Sequence, residues 1–445
     1  MVPVSEVWAD ISICEQSPKH LNFSRRRLTT AGDYANCCVA QFAERRRQAG
    51  PHDHVRGLLA RGHTVESWCP PTADQTYLPL SDLIPEHIVP SAPYANGWRR
   101  KTKDVFTLRT YNMRRVTEVD EYARRSAEEI NAREFDLLFA NTSLEMAVSS
   151  IGRYVRVPGV LFLQEPSRWL YEAQPMLIWA GDNRSANEPA WTPTALHRSL
   201  RAALRVRGYR FQARAEWLNM RAFKKILVNS HFSRETVLSI YGLDATVCYL
   251  GVDTQKFVRR SAPKENYVVG VGAIAPRKNL RLVIEALAQL KPPRPRLLWI
   301  GDVVHTEYLA ELDQLANASE VDFTPLIRVD DDALVDMLSR ALMMVYTPRL
   351  EPFGFAPLEA NACGLPVVAV AEGGVRETIQ HGVNGLLVEH EAQAVAEAIE
   401  YLRMHPDEAA RLGNKGAQLV AERWSVNAAV DRLEQNLQTV LKDLR

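Results

Sequence analysis

The sequence predicts an α/β protein made of two doubly wound, parallel-sheet domains that face each other across a crevice. Three observations carry this. Short β-branched runs, such as Tyr267-Val-Val-Gly-Val-Gly-Ala-Ile274, alternate with amphipathic segments of helical period, the pattern of stacked βα units. The alternation occurs twice, on either side of a linker-like stretch at residues 253–266 that contains Ser261-Ala-Pro-Lys-Glu. The chain of 445 residues is too long for one core and suits two or three domains.

Taken in order, residues 1–34 show no clear period and read as an N-terminal extension. Residues 37–42 are the candidate first strand, and further strands are expected at 64–69, 135–140, 159–164, 225–229 and 246–250. Arg61-Gly62-His63-Thr64-Val65 reads as a helix end, a glycine cap and a strand start. In the second half, the strand at 267–274 precedes Asn279, placed to cap a helix whose Leu280, Val283, Leu287 and Leu290 share one face. Strands at 297–300, 321–327, 342–346, 366–370 and 385–388 follow, with helices at 308–316, 331–341 and near 357–363. Residues 425–445 form one amphipathic helix. The expected division is therefore an extension (1–34), two Rossmann-like domains (35–255 and 256–424), and a C-terminal helix returning to the first domain (425–445).

Composition narrows the function. Lys plus Arg number 54 against 53 for Asp plus Glu, a net charge of +1, so no global field favours nucleic acid. Six scattered cysteines make no C-x-x-C pair, which argues against a zinc site or disulfide scaffold and fits a reducing compartment. No apolar run reaches the roughly 18–20 residues that span a bilayer. The start Met1-Val-Pro-Val-Ser-Glu lacks the apolar core of a signal peptide, and no apolar stretch follows Ser24-Arg25-Arg26-Arg27. The expectation is a cytoplasmic protein, at most peripheral on the inner face of the membrane. Residues 198–225 hold nine basic residues and one acid, Glu216, with Leu200, Leu204, Phe211, Ala215, Leu218 and Ala222 on one helical face. Such a helix either lies on an anionic membrane or packs internally with a solvated basic face.

In doubly wound sheets ligands bind outside the carboxyl ends of the strands. The densest segment there is Glu351-Pro-Phe-Gly-Phe-Ala-Pro-Leu-Glu359-Ala-Asn-Ala-Cys-Gly364, a strand-to-helix loop. Gly354 permits close backbone approach, the free N–H groups of a helix start favour an anion, and a carboxylate can accept from two vicinal hydroxyls. Two lone glutamates at a helix start are otherwise explained by the helix dipole. Arg277 and Lys278, after the first strand of the second half, can neutralise a diphosphate or stand as solvent-facing charges. Gly270-Val-Gly272-Ala-Ile-Ala275 imitates a dinucleotide fingerprint, but no acid stands about 20 residues on, so it reads as tight strand–helix packing. Asp330-Asp331-Asp332 precedes a helix and reads as an N-cap, so no metal is expected. In the first half, Gln164 and Glu165 follow a strand; His52 and Asp53 open a helix, where Asp53 also serves as a helix-start acid. Gln164 can hydrogen-bond a ligand hydroxyl or carbonyl but cannot act as acid or base.

The segment Glu351–Gly364 resembles the E-x7-E signature of the retaining glycosyltransferases of family 4, which have the GT-B fold. The resemblance extends through Val368-Ala-Val-Ala-Glu-Gly373-Gly374-Val-Arg-Glu377 and Gly382-Val-Asn-Gly385, and includes Tyr249-Leu-Gly251-Val-Asp253-Thr-Gln-Lys-Phe257 and Arg61-Gly-His-Thr-Val65. It covers roughly residues 50–440 and implies a GT-B fold in which 35–255 takes the acceptor and 256–424 the nucleotide-sugar donor. It implies that Glu359 holds the ribose, that Glu351 with the backbone of Phe353, Gly354 and Phe355 positions the sugar, and that Lys278 and Arg277 serve the diphosphate beside Gly272. Ile327 and Arg328 fall in the family's base-contacting loop, and His52, Asp53, Gln164 and Glu165 on the acceptor side. The family pattern G-R-x-x-x-x-K is met here by Gly272 and Lys278, with Ala273 in place of the arginine, and Gln164 stands near where many members carry a histidine. The implied activity is retaining, metal-independent transfer from a UDP- or GDP-type sugar to a carbohydrate, lipid-linked or small-molecule hydroxyl, with no further cofactor. The alternatives are a sugar-nucleotide-binding subunit without catalysis and a sugar-nucleotide epimerase.

Overall fold

The computed structural model describes residues 36–40, 49–71, 73, 78–90, 110–142, 146–172 and 193–443, so the extension expected at 1–34 lies outside the described residues. Two parallel sheets organise the chain. The first holds β1 (Asn36–Ala40), β2 (Thr64–Cys69), β3 (Glu86–Ile88), β4 (Leu137–Asn141), β5 (Gly159–Leu163), β6 (Lys225–Val228) and β7 (Thr246–Val247) in the order β3-β2-β1-β4-β5-β6-β7. The second holds β8 (Tyr267–Val271), β9 (Arg296–Gly301), β10 (Phe323–Ile327), β11 (Met343–Tyr346), β12 (Val367–Val370) and β13 (Gly385–Val388) in the order β10-β9-β8-β11-β12-β13. All ladders are parallel, so each sheet collects its carboxyl ends on one edge.

The central strands are apolar throughout because helices cover both faces: every residue of β4, β5, β8, β11 and β12 is buried. Edge strands read differently. In β10 Pro325 is tolerated because the strand pairs only with β9. At one edge of the first sheet, β3 is three residues, Glu-His-Ile, with no apolar alternation, and sequence reasoning misses it. The strand expected at 246–250 shortens to Thr246–Val247, because the chain then turns towards the second sheet.

The polypeptide crosses between the lobes twice, side by side. Val252 N–H donates to Trp424 O (2.7 Å) and Val426 N–H to Val252 O (3.1 Å). Tyr249 and Trp424 meet edge to face there, 4.9 Å between ring centroids. The helix Val426–Lys442 packs on the helix Ala49–Ala60, Gly57 facing Val430, and Glu434 bonds His63 Nε2 at 2.8 Å. One apolar cluster runs from Val55 and Leu58 through Val252 and Phe257 to Tyr346 and Leu433, so both lobes share a core.

The helix Pro193–Met220 departs from expectation. Its inward face carries Gln212, Glu216 and Asn219, while Phe211, Trp217 and Leu218 are exposed beside the basic residues. Glu216 is buried because Ser167 Oγ (2.8 Å), Gln212 Nε2 (3.0 Å), Tyr241 OH (3.1 Å) and Tyr171 OH (3.3 Å) donate to it. Burial raises its carboxyl above the usual range, and those four donors oppose the rise.

Candidate active site

The site is built from loops at the carboxyl edge of the second sheet. After β8 the chain passes Gly272, where a Cβ would sit 3.6 Å from Lys278 Cδ and Cε. The turn Pro276–Lys278 follows, then Asn279 in a left-handed conformation (φ 55°). Asn279 begins the helix Leu280–Ala288 without a side-chain cap; its amide instead meets His390 Nε2 at 2.6 Å. Lys278 is buried, and its ammonium donates to Glu351 Oε2 at 2.7 Å.

Glu351 lies in the loop between β11 and the helix Phe355–Ala362. Leu350 before it is left-handed (φ 49°), an uncommon state for a residue with a side chain. Its N–H donates to Glu372 Oε2 (3.3 Å), whose other oxygen lies 3.7 Å from His390 Nδ1. The loop rests on Gly373 and Gly374: Gly374 N–H donates to Glu351 O (2.8 Å), and a Cβ on left-handed Gly373 would strike the backbone of Leu350 and Glu351. Gly354 (φ 90°) then starts the helix Phe355–Ala362, where a side chain would press on Val375. Glu359 is half-buried within that helix. At the helix end, burial first and the Glu359 carboxylate second push the Cys363 thiol up to about 12. Phe353 is buried against Tyr249, Phe355 and Trp424 at the lobe junction.

The structure thus brings Gly272, Lys278, Glu351, Phe353, Gly354 and Phe355 together. Arg277 is different: the turn that buries Lys278 leaves it exposed, since adjacent residues of a tight turn point apart. Ile327 and Arg328 are exposed at the end of β10, and left-handed Arg328 (φ 59°) donates its N–H to Gly301 O at 2.9 Å. Asp330 accepts from Ala333 N–H at 2.8 Å, as an N-cap does.

On the first lobe, the helix Ala49–Ala60 begins beside the loop after β5, where a Cβ on Gly50 would sit 3.8 Å from Gln164 Nε2. Asp53 pairs with Arg56 (3.2 Å), which bridges to Asp253 (2.9 Å) on the lobe junction; His52 Nδ1 lies 3.9 Å from Asp53. The Gln164 N–H donates to Thr142 Oγ1 (3.1 Å), and Glu165 lies 3.5 Å from Arg168.

Three residues that sequence reasoning did not assign join the lobes. Arg168 Nη1 donates to Leu350 O (2.6 Å) and Ser230 Oγ to Pro352 O (2.5 Å). Glu377 accepts from the His231 and Phe232 N–H groups (2.9 and 3.0 Å) and from Tyr249 OH (2.9 Å). Glu377 thereby occupies the positive end of the helix His231–Tyr241 from the other lobe. The available signals were position alone: Arg168 three residues beyond Glu165, and Glu377 after the glycine pair.

Comparison with known proteins bears on this geometry. Residues 252–419 match the family model of the glycosyl transferases group 1. That stretch contains β8 to β13 and therefore Lys278, Glu351 and Glu359. Human alpha-1,3/1,6-mannosyltransferase ALG2 is 30% identical over 235 residues, 47% of this chain and 56% of that protein. The GDP-mannose-dependent alpha-(1-6)-phosphatidylinositol monomannoside mannosyltransferase of Mycolicibacterium smegmatis is 29% identical over 230 residues, 47% of this chain and 60% of that protein. The chain spans a little over half the length of these curated relatives. Among solved structures, sucrose-phosphate synthase from Thermosynechococcus elongatus covers 92% of this chain and 100% of its own at TM-score 0.67 and 17% identity. Anabaena Alr3699/HepE with UDP-glucose covers 91% of this chain and 100% of its own at TM-score 0.64 and 20% identity. The fold is GT-B, with the group 1 domain as its second lobe. No helix among the described residues is long and apolar enough to cross a membrane.

Proposed function

We propose that the protein is a retaining glycosyltransferase that moves a sugar from a nucleoside-diphosphate sugar to an acceptor hydroxyl, without a metal ion. The observation that carries this is the Lys278–Glu351 pair at the carboxyl edge of the group 1 domain, next to the helix that bears Glu359. Glu359 takes the ribose hydroxyls, Lys278 the distal phosphate, and Glu351 with the Phe353–Phe355 backbone the sugar. The 256–424 region acts as donor lobe and 35–255 as acceptor lobe, where Gln164, Glu165, His52 and Asp53 face the acceptor hydroxyl. Arg277 guides the diphosphate from the solvent side, and Ile327 and Arg328 meet the base. The names of the sequence relatives support GDP-mannose as the first sugar donor to test, and the HepE complex supports UDP-glucose as the second. The acceptor is a carbohydrate or a lipid-linked saccharide. The exposed Phe211, Trp217 and Leu218 among basic residues support peripheral membrane contact through 198–225 on a cytoplasmic face.

Chemically, a lysine beside a departing diphosphate stabilises the charge that develops as the glycosidic bond lengthens. Glu351 is not assigned as a nucleophile, because a double displacement needs paired carboxylates about 5–5.5 Å apart across the bond. Thermal-shift and turnover measurements with GDP, UDP, GDP-mannose and UDP-glucose test the reading, with EDTA present throughout. At least one nucleotide should raise the melting temperature, its sugar should be turned over, and Glu359→Ala should abolish the shift. A shift that survives Glu359→Ala and Lys278→Ala removes the donor site, and binding without turnover on a full sugar panel favours a binding subunit.

A further inference from the structure

Glu351 is flanked by two residues whose carbonyls are both held from the other lobe. Arg168 donates to Leu350 O at 2.6 Å, and Ser230 to Pro352 O at 2.5 Å. Both donors belong to the first lobe, in the loop after β5 and at the start of the helix His231–Tyr241, and both acceptors to the second.

Each donor is itself fixed. Arg168 is 8% exposed; Glu172 takes its Nε (2.8 and 2.9 Å), Phe232 lies under its guanidinium (5.6 Å), and Ser167 beside it is anchored on buried Glu216. Ser230 is fully buried and accepts from Ser233 N–H (2.9 Å) as the N-cap of its helix, and of the acceptors in reach of its hydroxyl Pro352 O (2.5 Å) is nearer than Ser233 Oγ (3.0 Å). The acceptor side is strained: left-handed Leu350 (φ 49°) is in a state that a residue with a side chain rarely adopts, and the surroundings must hold it. Glu372 holds its N–H from within the second lobe, and Arg168 holds its C=O from the first.

We propose that Arg168 and Ser230 are positioning residues forming a carbonyl clamp that sets Glu351 against Lys278 only when the lobes are together. Separating the lobes breaks both bonds at once and releases the strained turn that aims the carboxylate. The clamp rests on the sugar-transfer reading but adds to it: sugar-donor binding resides in the second lobe, while productive geometry requires the first. Two carboxylates, Glu165 and Glu172, face Nη1 and Nε of the Arg168 guanidinium and oppose an anion there, while its buried Nη2 is left without a hydrogen-bond partner.

The test separates binding from turnover. For wild type, Arg168→Gln, Arg168→Lys and Ser230→Ala, GDP and UDP affinity is measured by calorimetry, and nucleotide release is followed from the sugar donor that wild type uses. The clamp predicts a kcat loss of about 10- to 100-fold for Arg168→Gln and about 2- to 10-fold for Ser230→Ala, with nucleotide Kd within about twofold. Arg168→Lys, which keeps the charge, should recover part of the loss. In a Leu350→Gly background, where the left-handed turn carries no penalty, the factor lost on Arg168→Gln should shrink, which a merely structural role would not produce. Unchanged kcat, equal losses in kcat and nucleotide affinity, or an undiminished factor in the glycine background overturns the clamp and leaves the donor site standing. Wild-type protein that binds neither nucleotide overturns the donor reading and the clamp together.

Discussion

Lys278 and Glu351 make opposite predictions when each is neutralised alone. Their charged atoms lie 2.7 Å apart, with the side chains only 10% and 19% exposed. Removing one member of a buried pair strands the other, at a cost of about 3–5 kcal/mol when fully buried; Glu351 keeps some water, so about 2–3 kcal/mol is the working figure for Lys278→Met. Lys278→Met also deprives the distal phosphate of a charged donor, weakening nucleoside-diphosphate binding by about 10- to 100-fold. Glu351→Gln acts the other way on binding. The carboxylate competes with the diphosphate for the same ammonium, so removing its charge should tighten GDP or UDP binding by about 3- to 30-fold while turnover of the sugar nucleotide collapses. Calorimetry with the free nucleoside diphosphate reads the first quantity and nucleotide release the second. The double variant should be more stable than Lys278→Met alone, because no charge is stranded. If Glu351→Gln weakens the nucleotide as much as Lys278→Met does, the carboxylate is not a competitor for the ammonium and the arrangement of the site is wrong.

Burial holds the His54 imidazole down at about 4 against an ordinary 6.5, with Asp53 opposing, so the folded state favours the neutral ring. Its contribution is complete above about pH 6.5 and is lost, by about 3 kcal/mol, as pH falls towards 4; His54→Phe, seated beside Phe139 and Phe162, should flatten the melting temperature across that window. Glu377→Gln removes the charge that accepts from His231 and Phe232 N–H, and hydrogen exchange at those two amides should quicken by about 10- to 100-fold, whereas unchanged exchange removes the cross-lobe cap. Ala273→Arg installs the arginine of the family pattern beside Lys278 and should tighten nucleoside-diphosphate binding by about tenfold; a loss of affinity instead would show that the site has repacked around alanine.

How much could be read from the chain depends on which atoms carry the information. The second lobe is legible because its strands are β-branched runs buried on both faces and its helices have one apolar side: β8, β11, β12 and β13 all fall within the segments that the pattern marks. The first lobe blurs where side chains answer to something other than a core. Glu-His-Ile in β3 is held by backbone pairing and by polar partners, Glu86 with Ser67 and His87 with Glu66. The helix Pro193–Met220 hides Gln212, Glu216 and Asn219 and exposes aromatic rings, so its apolar stripe points away from the face that packs. Lys278 and Glu351 stood out in the sequence as charges beside glycines, but sequence adjacency did not say that the turn would bury Lys278 and leave Arg277 exposed.

The cross-lobe contacts were beyond sequence reasoning for a physical reason. Arg168 and Ser230 meet main-chain carbonyls, and Glu377 meets two main-chain N–H groups as well as Tyr249 OH. Every residue but proline offers the same pair of backbone groups, so such a bond leaves its mark on one partner only. Two of the contacts fall on the residues either side of Glu351 and tie its loop to the lobe expected to carry the acceptor, and the third, at Glu377, joins that lobe to the segment just after Gly373 and Gly374, on which the loop rests. A site assembled in this way keeps the path of the backbone that presents the carboxylate whichever polar side chains stand at positions such as Ala273 and Gln164. The architecture is therefore held by the glycines at 354, 373 and 374, which allow the loop to lie where it does, and by the few side chains that reach across to its carbonyls.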